Sequence, residues 1–167
     1  EDQPNLDIHD IPTFFQHILE RIDLRRDLHF QTRTTMDTLD YSGTGLNQGS
    51  KLVIAAAGEQ IRELSKEVPE QFSLPVGFSD PRIVMPGILA IKSSSLSNYE
   101  DAGIEMKKLE SHLSNLEKME GLPLIIVVDD SEFTAAKLNN FLWVCFTRSN
   151  PSHDIYGINQ SFIHKHW

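Results

Sequence analysis

The sequence predicts an α/β fold: a three-layer-like arrangement in which a mixed or mostly parallel sheet is flanked by helices, built from two related halves. Three observations predict it. Residues 88–128 read as strand, long amphipathic helix, then buried strand, the pattern of a right-handed parallel crossover. Residues 14–30, FFQHILERIDLRRDLHF, are echoed without gaps 127 positions later by residues 141–157, FLWVCFTRSNPSHDIYG. Between them, residues 67–82 hold three prolines and one glycine with little apolar periodicity, which reads as a connector. The expected organisation is a single domain over 1–167, made of half-units of about 1–66 and 83–167 joined by connector 67–82.

The first element is a helix over about 11–22. Asp10 offers an N-cap and Pro12 stands near the first helical position, where its missing N–H costs nothing. Phe14, Phe15, Ile18, Leu19 and Ile22 fall along one side. A turn leads to a strand over 28–33, then to a long loop punctuated by Gly43, Gly45 and Gly49 that runs into the apolar segment 52–57. Loops of that length are often functional. After the connector come a strand at 88–92, a helix at 98–119 and a strand at 122–128. Ile104, Leu109, Leu113 and Leu116 can share the helix's apolar face, while Glu105, Lys107, Lys108, Glu110 and Glu117 supply much of its wet one.

The echo then predicts a second helix, turn and strand over 134–157. Phe14, Arg21 and Asp27 align with Phe141, Arg148 and Asp154, and Phe15, Ile18, Leu19 and Leu28 align with Leu142, Cys145, Phe146 and Ile155. Each arginine lies in a last helical turn and each aspartate just beyond the following turn. That spacing predicts one Arg–Asp clamp per half, Arg21 with Asp27 and Arg148 with Asp154, serving fold geometry rather than catalysis. The tail SFIHKHW stops without a terminating signal, as expected of a trimmed piece.

Composition narrows the function. With 40% hydrophobic and 23% charged residues over 167 positions, the chain is an ordinary globular protein able to bury one substantial core. No apolar run approaches the roughly 18 residues of a membrane span. The acidic start EDQPNLDIHD has no apolar core, so it is not a secretory signal, although a mature secreted product could share it. A net charge of −9 argues against a broad nucleic-acid or anionic-membrane surface. The lone Cys145, inside FLWVCF, reads as a buried structural thiol and fits a reducing, cytoplasmic setting.

Four groups of residues could carry chemistry. The glycine loop SGTGLNQGSK fails both phosphate-binding patterns: Gln48 stands where a dinucleotide fingerprint needs glycine, and Gly49-Ser50-Lys51 is not GK[ST]. It reads as a connecting loop. Asp129 and Asp130 follow the apolar strand at the sheet edge where α/β proteins bind ligands; they could hold a cation, but capping of the next helix is the favoured role. The seven histidines are scattered and form no zinc pattern, so no metal ligand set is assigned. No nucleophile elbow or H-E-x-x-H occurs.

The segment PLIIVVDDSEFTAAKLNNFLWVCFTRSNPSHDIYG resembles the C-terminal domain of the UbiD family of decarboxylases. The carrying residues are Val128-Asp129-Asp130, Leu142-Trp143, Thr147-Arg148 and Asp154. Residues 14–30, with Arg21 and Asp27, and the following TTMDTLDYSG and GSKLVIAAAG are similar to the same family segment, so the chain looks like the tail of one such domain followed by a divergent second copy. The resemblance implies a parent enzyme that uses prenylated flavin mononucleotide, with a divalent metal at its phosphate, to remove carbon dioxide from an aromatic or α,β-unsaturated acid. A quinone-precursor hydroxybenzoate would be a family-style substrate.

The family's Glu-Arg-Glu set and its flavin and metal ligands belong to an N-terminal portion not found in this sequence. No catalytic residue is therefore assigned, and the chain alone is expected to be inactive and to bind neither cofactor. Its implied role is substrate closing and oligomerisation, with the flavin-binding portion of the same protein and further copies as partners. Met36, Asp37, Leu39 and Tyr41 map loosely to the family's substrate-side contacts; plain core packing is their favoured alternative. A non-catalytic interaction module that kept the fold is the second reading of the whole chain, and a free-standing nucleotide-binding protein the third.

Overall fold

The computed structural model describes residues 5–36, 42–43, 45–46, 48–94, 98–117 and 119–160. Ten elements follow in order: α1 Ile11–Arg21, β1 Leu28–Thr34, β2 Gly49–Ile54, β3 Phe78–Met85, β4 Ile88–Ser93, α2 Tyr99–Leu113, β5 Leu124–Val128, α3 Ser131–Ala136, α4 Leu138–Thr147 and α5 Pro151–Asp154. The class is α/β. Two separate sheets form: an antiparallel β1–β2 ribbon and a mixed sheet ordered β3-β4-β5, in which β3 and β4 are antiparallel and β4 and β5 parallel. No described helix is long and apolar enough to cross a membrane.

The central strand β4 organises the mixed sheet. Its run Ile88-Leu89-Ala90-Ile91 is fully buried, because successive side chains point to opposite faces and both faces are covered. Leu89 and Ile91 join Leu109 and Leu113 of α2, Phe78 and Leu122, with Ile125 and Val127 packed alongside. Ile88 joins Leu19 of α1, Leu64 and Phe141 of α4, with Leu124 and Ile126 alongside. The result is helix, sheet, helix. The second cluster draws on residues from both ends of the sequence, and Phe15 stacks edge-on against Phe141 with ring centroids 5.7 Å apart.

α1 starts as predicted, with the Asp10 carboxylate accepting from the Thr13 N–H and Pro12 in the first turn. Its end is closed by Arg62, whose guanidinium donates to the carbonyls of Leu19 and Ile22 at 2.6 and 2.7 Å. α2 starts next to Asn98, which caps it, close to the expected boundary, but stops at Leu113, short of 119. Ser114 Oγ donates to the Glu110 carbonyl and Asn115 Nδ2 to that of Ser111, side-chain competition that favours leaving the helix. Ile104 is 60% exposed, so it does not share the buried face of Leu109 and Leu113; Met106 packs there instead.

Three further expectations are corrected. The connector is shorter than 67–82, because β3 begins at Phe78. Pro81 is tolerated because β3 is an edge strand whose pairing is irregular between Ser79 and Arg82. The second helix is two helices, α3 and α4, broken at Lys137 in an extended conformation; Asn140 Nδ2 spans the break to the Phe133 carbonyl at 2.7 Å. Among the described residues no strand follows Asp154: the one-turn helix α5 ends there, and residues 155–157 have no regular structure. β1, by contrast, has β2 to pair with.

Phe141 is 1% exposed at the centre of the cluster that ties α1, β4 and α4 together. Phe141→Ala is expected to cost about 3–5 kcal/mol, read as a lower urea midpoint with little change in slope.

Candidate functional site

The glycine-rich connection and β2 supply the first group. Gly49 is close against Met36, so that a Cβ there would overlap the methionine sulfur. Met36 is half-buried and packs on this backbone, which is a packing role. Asp37, Leu39 and Tyr41, the other pocket candidates, lie outside the described residues. Ser50, next to Gly49, is buried; its hydroxyl donates to Asn150 Oδ1 and accepts from the Ser152 N–H at 2.8 Å. The segment that mimicked a phosphate loop thus fastens the ribbon onto α5, a hundred residues away.

The two echoed turns share one set of hydrogen bonds. In the first, Asp27 Oδ2 accepts from the Asp23 N–H at 2.9 Å, and the Asp23 carbonyl accepts from the N–H groups of Arg26 and Asp27 at 2.9 and 2.8 Å. In the second, Asp154 Oδ2 accepts from the Asn150 N–H at 2.5 Å, and the Asn150 carbonyl accepts from His153 and Asp154, both at 2.9 Å. Asp23 and Asn150 stand at the same 127-residue offset as Asp27 and Asp154. Each aspartate closes a single helical turn upon itself.

The arginine clamps do not form. Arg21 donates to the His17 carbonyl at 3.1 Å and pairs with Glu20 at 3.0 Å, while Asp27 pairs with Arg26 at 2.6 Å. Arg148 lies 3.7 Å from Asp129, with both side chains largely exposed. The reason is shared. Each aspartate is already turned toward the backbone amide four residues before it, and an arginine at a helix end reaches nearer oxygens first. Arg26 and the Asp23 amide hold the Asp27 carboxyl below the usual carboxylate range.

At the carboxyl end of β5, Asp130 caps α3, its Oδ1 accepting from the Phe133 N–H at 2.8 Å. This is the favoured sequence reading. Asp129 is exposed and reaches Arg148. Trp143, the family-motif tryptophan, is 58% exposed on α4.

A cluster not foreseen lies beside them. Asp80, at a backbone φ of 48°, binds the Arg82 Nε through both oxygens at 3.0 and 2.9 Å and accepts from the fully buried Ser131 hydroxyl at 2.7 Å. The Arg82 bond, then that from Ser131, lowers its pKa. A left-handed aspartate is a tertiary property that no local signal in DPR announces. Next to it lies a shallow open cleft of about 490 Å³, lined by Val68, Pro81, Ile83, Ala135 and Ala136, with Arg82 and Glu132 as its charged residues. None of the sequence-predicted site residues lines it.

Burial pushes the Cys145 thiol up to about 11, which fits the structural role expected for it. Among the described residues no three His, Cys, Asp or Glu side chains stand together as metal ligands.

Comparison with known proteins places these features. Residues 1–56 match the family model of the 3-octaprenyl-4-hydroxybenzoate carboxy-lyase C-terminal domain. An uncharacterized protein of Chlamydia trachomatis is 32% identical over 96% of this chain and 26% of its own length. A Chlamydia pneumoniae protein, named as a subunit of 4-hydroxybenzoate decarboxylase, is 34% identical over 87% of this chain and 23% of its own length. The chain spans about a quarter of the length of these curated relatives. No solved structure matches it significantly.

Two outcomes are expected from the turns. Ser50→Ala strands the buried Asn150 oxygen and the Ser152 amide, and is expected to cost about 1–3 kcal/mol in urea unfolding. Because the folded pKa of Asp27 is depressed, its contribution is complete above the unfolded value near 4 and lost as pH falls through the folded one. Asp27→Asn should therefore lose stability at neutral pH and show a flatter decline below pH of about 4, measured by unfolding across acid pH.

Proposed function

We propose that this chain, which carries a UbiD-family C-terminal region, is the C-terminal, substrate-closing part of a non-oxidative aromatic-acid carboxy-lyase. The match of residues 1–56 to the carboxy-lyase C-terminal domain carries the reading. The decarboxylase name of the Chlamydia pneumoniae relative supports it, and points to a hydroxybenzoate as the acid. The chain acts within a longer polypeptide of the size its relatives have.

In this proposal prenylated flavin mononucleotide and its divalent metal would be held by the flavin-binding portion of that polypeptide, and would supply an electron sink for decarboxylation. What this chain supplies is shape. The β1–β2 ribbon forms part of the wall that closes on the ring of the acid, and Met36, Asp37, Leu39 and Tyr41, the family-style pocket candidates, are the residues of this chain assigned to the substrate side. Ser50 sets the position of that wall by fastening β2 to α5.

The test is carbon dioxide release from 4-hydroxybenzoate and a panel of related acids, with prenylated flavin and manganese supplied to this chain and to the longer polypeptide. Release is expected from the longer polypeptide only. Release from the 167-residue chain by itself would overturn the division of labour, and silence from the loaded longer polypeptide across the panel would overturn the catalytic reading.

A further inference from the structure

Arg82 is held at one edge of its guanidinium and open at the other. Asp80, at a φ of 48° in the left-handed region that L residues avoid, takes the Nε through both carboxylate oxygens at 3.0 and 2.9 Å. A strained residue of this kind persists only where its surroundings fix it. Here the fully buried Ser131 hydroxyl does so, donating to Asp80 at 2.7 Å across 51 positions of sequence. Among the described residues no hydrogen bond reaches Arg82 Nη1 or Nη2.

The same cluster places an acceptor opposite those donors. Glu132 follows Ser131 in the first turn of α3, so the bond that ties Ser131 to Asp80 also sets how near Glu132 stands to β3. Its Oε2 lies 4.0 Å from Arg82 Nη2. That is too far for a hydrogen bond between them and the right span for one oxygen in the gap, at about 2.9 Å from the nitrogen and about 2.7 Å from the carboxylate. Both residues line the open cleft of about 490 Å³, a volume in the range of small-molecule sites. The rest of its wall is apolar: Val68, Pro81, Ile83, Ala135 and Ala136.

Charge then selects the ligand. Asp80 cancels the Arg82 charge and Glu132 adds a negative one, with Asp130 also acting on Arg82. A carboxylate or phosphate therefore meets net repulsion, and a bare cation meets the guanidinium. What fits is an uncharged oxygen that both accepts and donates, carried on a compact apolar body. We propose that the cleft between β3 and α3 binds a small neutral hydroxyl compound of the phenol type. Its oxygen accepts from Arg82 Nη2 and donates to Glu132 Oε2, while its apolar body lies on the alanine and proline wall.

This inference does not rest on the decarboxylase reading, because neither Met36 nor any described residue of the β1–β2 ribbon lines the cleft. The two touch at one point: a hydroxybenzoate that has lost its carboxylate is a phenol. A cleft that repels the acid and accepts the neutral hydroxyl compound separates the two by charge alone.

NMR titration of the chain with phenol tests it. The amide signals of Ile83, Ala135 and Ala136 should shift saturably, with a dissociation constant on the order of 1–10 mM for a ligand of this size in an open cleft. Benzoate, which is charged, and anisole, which cannot donate, should each bind about fivefold more weakly or worse. The Glu132 side chain is 77% exposed, so Glu132→Ala keeps the fold and should remove the preference for phenol over anisole. Ala136→Phe, at the exposed end of α3, fills the cleft and should abolish the shifts. The proposal is overturned by the lack of a saturable shift up to about 20 mM phenol, by shifts centred away from the cleft, or by benzoate binding as tightly as phenol. Unchanged phenol binding by a folded Ala136→Phe chain, or an undiminished preference over anisole in Glu132→Ala, would overturn it equally.

Discussion

The two-sided burial of β4 is the constraint on which the rest of the structure depends. A strand reading Ile-Leu-Ala-Ile, with every side chain shielded, needs an apolar layer above and below it. The sequence supplies both. α2 leaves β4 and returns the chain as β5, covering one face with Leu109 and Leu113; the other face falls to α1 and α4. Those two helices come from segments that echo one another, and neither could shield β4 alone. The N-terminal segment is thus held in the fold by apolar contact with the C-terminal one, and Arg62 fixes the angle at which α1 leaves that contact.

The echo survives most faithfully in hydrogen bonds rather than in secondary structure. In both copies an aspartate turns back to the amide four residues earlier. The remaining bonds of the two turns differ because their side chains differ. At the first turn Asp23 Oδ1 accepts from the Arg25 amide and side chain, so the turn satisfies itself. At the second, Asn150 carries no charge and Ser152 no guanidinium; the equivalent oxygen and amide are left for Ser50. Two changes in side-chain chemistry convert a self-contained turn into a socket for the ribbon.

What was legible in the sequence were the features decided within a turn or a few residues. The Asp10 cap, the amphipathic pattern of α2, the apolar run of β4 and that of β5 are local signals, and the elements begin close to where those signals put them. The misses required distant partners. β3 was hidden behind Pro81 because only pairing with β4 shows that its amide is not needed. The break at Lys137 was hidden because apolar periodicity runs through it, and only the folded chain shows Lys137 in an extended conformation. The strand expected after Asp154 is absent for the complementary reason: a strand is made by a partner, and the first copy draws its own from residues 49–54. For the site, Asp130 as a cap was legible, whereas the Asp80–Arg82–Ser131 cluster depends on a backbone angle that only the folded strand imposes.

The acidic residues bear on the proposed division of labour. A general acid at neutral pH needs a carboxyl whose pKa is raised, through burial without a partner or through a like charge. Among the described carboxyls with a resolved shift, Asp23, Asp27 and Asp80, every shift is downward, and arginine bonding is the largest cause in each. Asp130 is bound to a helix amide and Asp154 to a turn amide. For Asp23, Asp27 and Asp80 to take a proton, an arginine bond that shapes the fold would have to be surrendered, so in these three protonation and folding oppose each other. Under the proposed reading these carboxylates shape the fold, and any proton transfer to the acid would fall to groups in another part of the polypeptide.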